Sequence, residues 1–132
     1  MSAQVQNAND SLQGYCGGEQ LFVNPVTKLK YTEGVKEIAK NTESYWFLDI
    51  IASYQKKLME EGFQVWKLER EYSFTTVNDQ KFIDERKDSF NVICEDGNNR
   101  ILIKQHIEFS DFTFDEYTVW CVDGVVLLPV EY

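Results

Sequence analysis

Gly62-Phe63-Gln64-Val65-Trp66-Lys67-Leu68-Glu69-Arg70-Glu71-Tyr72-Ser73-Phe74 is the stretch that decides the fold. Before Gly62 apolar residues recur at helical spacing. After it the period is two: Gln64, Trp66, Leu68, Arg70, Tyr72 and Phe74 fall on one face of a strand, and Phe63 and Val65 begin the other. A change of period at a glycine marks a change of element, because glycine readily takes the left-handed conformation that ends a helix.

Upstream, Ser44 precedes a helix expected over Tyr45 to Glu61, with Gly62 just past its end. Its polar positions are Asp49, Ser53, Lys56 and Glu60, and Trp46, Phe47, Leu48, Ile50, Ile51, Tyr54 and Leu58 fill most of the rest. So narrow a polar stripe belongs to a helix buried around most of its circumference. It is expected to meet the sheet through Trp66 or Trp120. Thr32 is the expected N-cap of an earlier helix, with Glu33 in its first turn and Val35, Ile38 and Ala39 on its apolar face. Leu21-Phe22-Val23 reads as extended and stops at Asn24-Pro25, since a residue before proline avoids helix. Residues 1–10 are polar and expected to be flexible. Asn9 or Asp10 is a candidate cap for a short turn through Leu12 and Tyr15, closed by Gly17-Gly18.

Downstream, residues 78–88 (NDQKFIDERKD) read as a charged break between strands. Phe90 to Glu95 and Arg100 to Ile107 read as strands joined by the turn Asp96-Gly97-Asn98-Asn99. Tyr117 to Val122 and Val125 to Leu128 flank Asp123-Gly124, the strongest hairpin signal in the chain. Helices first and strands after predict an α+β domain over residues 11–132. Two main helices are expected on one face of a mostly antiparallel sheet of about four to six strands.

Charge is distributed unevenly. Residues 1–27 hold Asp10 and Glu19 and no base; residues 28–104 hold 14 acids and all 13 bases. Residues 105–132 hold Glu108, Asp111, Asp115, Glu116, Asp123 and Glu131 and no base, so −6 of the net −9 lies there, among Phe109, Phe112, Phe114, Tyr117, Trp120 and Tyr132. Carboxylates beside aromatics suit a surface that meets a basic protein, and they repel nucleic acid. The only cluster of lysines, Lys28, Lys30, Lys36 and Lys40, is interleaved with Glu33 and Glu37. No apolar run approaches the ~20 residues that span a membrane. The first ten residues lack the basic start and apolar stretch of a signal peptide, so a cytoplasmic location is expected. Cys16, Cys94 and Cys121 form no C-x-x-C pair and read as free thiols.

Chemistry has little to work with. His106 is the only histidine, and it falls beside Lys104 and Glu108 on the strand face that looks solvated, opposite Ile101, Ile103 and Ile107. Asp96-Gly97-Asn98 resembles the start of a calcium loop, but Arg100 and Ile107 stand where that loop needs ligands. Asp84-Glu85 and Asp115-Glu116 are adjacent pairs, which a strand sends to opposite faces. No Walker loop, G-x-G-x-x-G or G-x-S-x-G occurs. No catalytic residue, cofactor or metal is expected.

Several blocks carry a resemblance. They are Tyr31-Thr32-Glu33-Gly34-Val35-Lys36, Tyr45-Trp46, Leu48-Asp49-Ile50-Ile51-Ala52-Ser53-Tyr54-Gln55 and Phe63-Gln64-Val65-Trp66-Lys67-Leu68. Cys94-Glu95-Asp96-Gly97-Asn98, Asp115-Glu116 through Trp120-Cys121, and Leu127-Leu128-Pro129-Val130-Glu131-Tyr132 follow in order. Together they resemble a family of small bacterial proteins known only as a domain of unknown function. The resemblance implies no activity and no catalytic residue. Occurrence of such proteins near mobile elements implies a phage- or plasmid-borne origin, and by association an inhibitor of host defence such as an anti-CRISPR protein.

The expected function is therefore a non-enzymatic acidic module that binds a protein, in its sharpest form an inhibitor that blocks the basic surface of a nucleic-acid-handling defence effector. Asp111, Asp115 and Glu116 are the first candidates for the partner-facing surface, and Asp79, Asp84 and Glu85 the second. The alternatives are a bacterial housekeeping or assembly domain that self-associates through a sheet edge, and a cofactor-free carboxylate enzyme.

Overall fold

A computed structural model describes residues 5–12 and 20–132. Seven strands form one sheet: β1 (Leu21–Val23), β2 (Lys30–Thr32), β3 (Phe63–Val77), β4 (Gln80–Glu95), β5 (Ile101–Ile107), β6 (Glu116–Val122) and β7 (Val125–Leu127). Their spatial order is β1-β2-β7-β6-β3-β4-β5. Among these seven strands only β2 and β7 pair in parallel. The helices are α1 (Glu33–Thr42) and α2 (Tyr45–Tyr54). The class is α+β, and the sheet exceeds the expected count. The strand not foreseen is β2, a Lys-Tyr-Thr triplet too short to show a period.

Thr32 caps α1 as expected, its hydroxyl oxygen accepting from the Val35 N–H. The alternation read from Gly62 onward places Gln64, Trp66, Leu68 and Arg70 in the interior. There they join Phe90, Val92 and Cys94 of β4 and Tyr117, Val119 and Cys121 of β6. Val35, Ile38 and Ala39 of α1 and Phe47, Leu48 and Ile51 of α2 close over this one core. Tyr54 meets Trp66, with ring centroids 6.0 Å apart. Trp120 points to the opposite face, against Phe63 and Tyr132.

Five expectations need correction. Helix α2 ends at Tyr54, not Glu61, and residues 55–60 continue as turns. The Gln55 amide reaches back to the Ile51 carbonyl and across to the buried Gln64, so the glutamine pair draws the chain off the helical path. Ile101 does not share the buried face of Ile103, because a bulge opposite Cys94/Glu95 sits between them and leaves Ile101 exposed. Residues 5–10 are not a free tail. Ala8 is fully buried, Asn9 brackets Thr118 with both side-chain amide atoms, and Asn7 bridges Glu116 in parallel. This segment covers the edge of β6 that three-residue β7 is too short to reach. Asn7, rather than Asn9 or Asp10, caps the 3-10 turn Ala8–Leu12 by accepting from the Asn9 N–H. Tyr15, Cys16, Gly17 and Gly18 lie outside the described residues.

The charged stretch 78–88 is not a break: residues 80–88 are strand. β6 leaves β3 at the pair Glu69–Glu116, and β5 leaves β4 at the pair Phe90–Ile107. From Tyr72–Arg86 to Val77–Gln80, β3 and β4 pair only with each other among the described residues. The result is a two-stranded arm reaching about 17 Å past the sheet. Asn78 and Asp79 both have positive φ, 51° and 63°, which is the backbone of a two-residue hairpin turn. No core lies beneath this arm, so its residues show no inward-outward hydrophobic pattern.

Candidate functional site

Arg70 ties the base of the arm to the domain. Its Nε donates to Asp115 Oδ1 at 2.9 Å, and Nη1 donates to the Lys87 carbonyl at 2.6 Å and to Asp88 Oδ1 at 3.4 Å. Nη2 donates to the carbonyls of Phe112 at 2.7 Å and Phe114 at 3.2 Å. All five guanidinium donors are thus used, and the group lies 4.5 Å over the Phe90 ring. Arg86 adds a second bond to Asp115 Oδ1, and Asp115 Oδ2 accepts from the Gln6 N–H at 2.8 Å. One buried carboxylate therefore holds four separate pieces: β3, β4, the 108–115 loop and the N-terminal segment.

This corrects the reading of Asp115 as a partner-facing acid. It is 1% exposed, because folding brings Arg70 and Arg86 from the middle of the chain beside it. The other five candidates, Asp111, Glu116, Asp79, Asp84 and Glu85, are exposed. The knot also brings the two candidate groups to one end of the molecule. Residues 69–90 and 105–116 converge there with ten acids and four bases, a net of −6 out of −9. Glu69 lies directly opposite Glu116 across β3 and β6, and neither has an ion-pair partner among the described residues. Like charges placed opposite each other cost stability, so this end bears uncompensated repulsion.

Large apolar side chains stand among these acids. Phe74 is 52% exposed, Phe82 41% and Phe109 71%, and Val77 is half exposed as well. These are the exposed phenylalanines of the chain, and the sequence reading missed all of them as site residues. Phe82 was hidden by reading 78–88 as a break, and Phe74 by its place on the same strand face as Trp66, which is buried only as far as Arg70. An Asn-Asp pair at the tip, with β-prone residues before it, was the available signal.

The rest of the chemistry is quiet. Burial pushes the Cys94 thiol up to about 12 and the Cys121 thiol up to about 11, so neither is a nucleophile near neutral pH. Asp96 accepts from the backbone N–H groups of Asn98 and Arg100, which holds its carboxyl below the usual range and spends it on the turn. Among the described residues no group of three or more His, Cys, Asp or Glu is placed to hold a metal ion. No helix among them is long and apolar enough to cross a membrane.

His106 is exposed, with Nε2 2.8 Å from Glu71 Oε1. Hydrogen bonds from the Ser89 hydroxyl and from His106 bring the Glu71 carboxyl down to about 2. A depressed carboxyl favours the folded state above its ordinary value near 4.5, and that contribution is lost as pH falls through about 2. His106→Ala is expected to keep the melting curve at pH 7 and any binding activity. By NMR titration Glu71 should then titrate higher, yet still below 4.5, because the Ser89 bond is the larger cause. An unmoved titration, or loss of activity with an intact fold, would contradict this.

No curated protein and no solved structure matches the chain. A family model matches residues 6–132, and on that span the protein belongs to DUF6876, a family of unknown function.

Proposed function

We propose that the protein is a non-enzymatic binding module that docks its acidic end onto a basic surface of another protein. One observation carries this reading: the end that gathers −6 of the net −9 is also where Phe74, Phe82 and Phe109 are exposed. Protein interfaces concentrate aromatic anchors inside a polar rim, and complementary charge steers the encounter. In its sharpest form the partner is a nucleic-acid-handling defence effector. Such proteins carry basic grooves for phosphates, and an acidic arm with hydrophobic anchors suits occupation of one.

The test is affinity capture from the source cell, followed by titration of the captured protein at two salt concentrations. Asp84→Lys with Glu85→Lys, and Asp111→Lys with Glu116→Lys, should each weaken binding about tenfold or more. Glu33→Lys with Glu37→Lys on α1 should change it little. Affinity should fall as salt rises, because exposed charges are screened beyond ~8 Å at physiological ionic strength. Equal, salt-independent affinities for all three variants would overturn the proposal. A mass that rises with concentration, with no heterologous partner captured, would favour a self-associating assembly domain instead.

A further inference from the structure

The arm has two edges, and they are built differently. Its β4 side carries Lys81, Asp84, Glu85, Arg86, Lys87 and Asp88, and the register shifts twice along it. Charges and bulges are the ordinary means of keeping other strands off an edge. At the far side of the sheet β5 has Lys104 in its middle. The β3 side of the arm has no such protection. Tyr72-Ser73-Phe74-Thr75-Thr76-Val77 contains no charge and no proline, and its residues are β-branched or aromatic apart from Ser73.

The backbone of this segment is aimed outward. β6 stops pairing at Glu69, and the Arg70 N–H, pointing away from β4, donates to the Asp115 carbonyl at 2.8 Å. Alternation along a strand gives Tyr72, Phe74 and Thr76 the same outward direction, whereas Ser73 and Thr75 turn theirs toward β4. Among the described residues nothing pairs with these outward groups. Acids stand at both ends of the uncharged run: Glu69, Glu71 and Glu116 at the base, and Asp79 at the tip.

We infer that the β3 edge from Tyr72 to Val77 takes its partner by strand addition, accepting an extended segment of a basic protein in which lysines or arginines flank a short uncharged run. This rests on the reading of this end as a docking surface, and it specifies how docking occurs: main-chain bonds to Tyr72, Phe74 and Thr76 supply affinity, and the acids at the two ends select a basic segment. Charge argues against a second copy as the occupant. Antiparallel pairing with Phe74 opposite its own equivalent sets Glu69 of one chain against Asp79 of the other, and joins two ends that each carry −6.

The probe is a synthetic peptide of alternating valine and threonine with two lysines at each end, added to the full chain. Amide hydrogen exchange is read residue by residue. In the free protein Tyr72, Phe74 and Thr76 should exchange quickly, and Ser73 and Thr75 slowly. With peptide the first three should slow by about tenfold or more. Thr76→Pro removes one outward donor and no bond to β4, and should weaken the peptide about tenfold while the core amides keep their protection. Absence of peptide binding, or binding with unchanged exchange at the three amides, overturns the inference. Slow exchange at these amides without peptide, in a sample whose mass rises with concentration, also overturns it, since the occupant is then a second copy. The broader reading fails separately: if the charge reversals weaken the captured partner and Thr76→Pro does not, docking at the acidic end stands and strand addition falls.

Discussion

Asp115→Ala is expected to destabilise the fold by about 3–5 kcal/mol, the usual cost of removing one partner from a buried ion pair. The carboxylate is almost fully buried and accepts from Arg70 Nε, Arg86 Nη2 and the Gln6 N–H. Without it the Arg70 guanidinium, also buried, keeps its charge and loses its buried counter-ion, left with only the 3.4 Å contact to the exposed Asp88 carboxylate. Bonds to the carbonyls of Lys87, Phe112 and Phe114 remain, and they moderate the loss without neutralising the charge. The double change Arg70→Met with Asp115→Leu should cost less than Asp115→Ala alone, because it leaves no orphaned charge inside, although three carbonyls then lose a donor. Arg86→Ala should cost far less than either, since the Arg86 side chain is 42% exposed. Urea denaturation of the four proteins settles the order. A loss under about 1 kcal/mol for Asp115→Ala would show that the knot does not hold the arm to the domain. Amide exchange in the arm and in the 108–115 loop should rise in the same variant, because both are anchored through this carboxylate.

What the sequence made legible follows where burial imposes a period. From Gln64 to Arg70 every second residue is inside, and the strand could be read residue by residue. The hairpin at Asp123-Gly124 and the Thr32 cap were readable because their turn chemistry is local. The arm was not, because Tyr72 to Val77 and Gln80 to Asp88 have no core to face, and only the Asn78-Asp79 turn marks them as a hairpin. Strand β2 has three residues and is fixed by β7, nearly a hundred positions away in the chain. The candidate site was legible in part. Charge counted along the chain found the acidic excess. It could not show that Arg70 and Arg86 fold back onto Asp115, which turns one predicted contact residue into a structural pin. Nor could it show that Asp79, Asp84 and Glu85 end up at the same end of the molecule as Asp111 and Glu116. Long-range pairing decides both, and that information lies in no local pattern.

Ile51→Ala is expected to cost roughly 2–5 kcal/mol. Ile51 is completely buried at the centre of α2, in the same core as Phe47, Trp66 and Val119. Two effects add. The lost methyl and methylene groups forfeit their transfer from water, and the space they leave is refilled only as far as the neighbours can move. Two rings of this core are constrained. The Trp66 indole N–H donates to the buried Gln64 amide at 2.8 Å, and the Tyr54 hydroxyl donates to Gln105 at 2.7 Å, so neither ring can follow the retreating side chain without giving up a hydrogen bond. That places the expected loss in the upper half of the range. Asp49→Ala, on the exposed side of the same helix, should stay within about 0.5 kcal/mol. The comparison isolates burial from helix propensity, because alanine favours the helix at both positions. Chemical denaturation with an unchanged dependence on denaturant gives both values. A change under about half a kcal/mol at Ile51 would mean that α2 presents a different face to the sheet. The acidic end should keep its conformation in Ile51→Ala at temperatures where the domain is folded, since the arm is pinned through Arg70 and Asp115 rather than through α2.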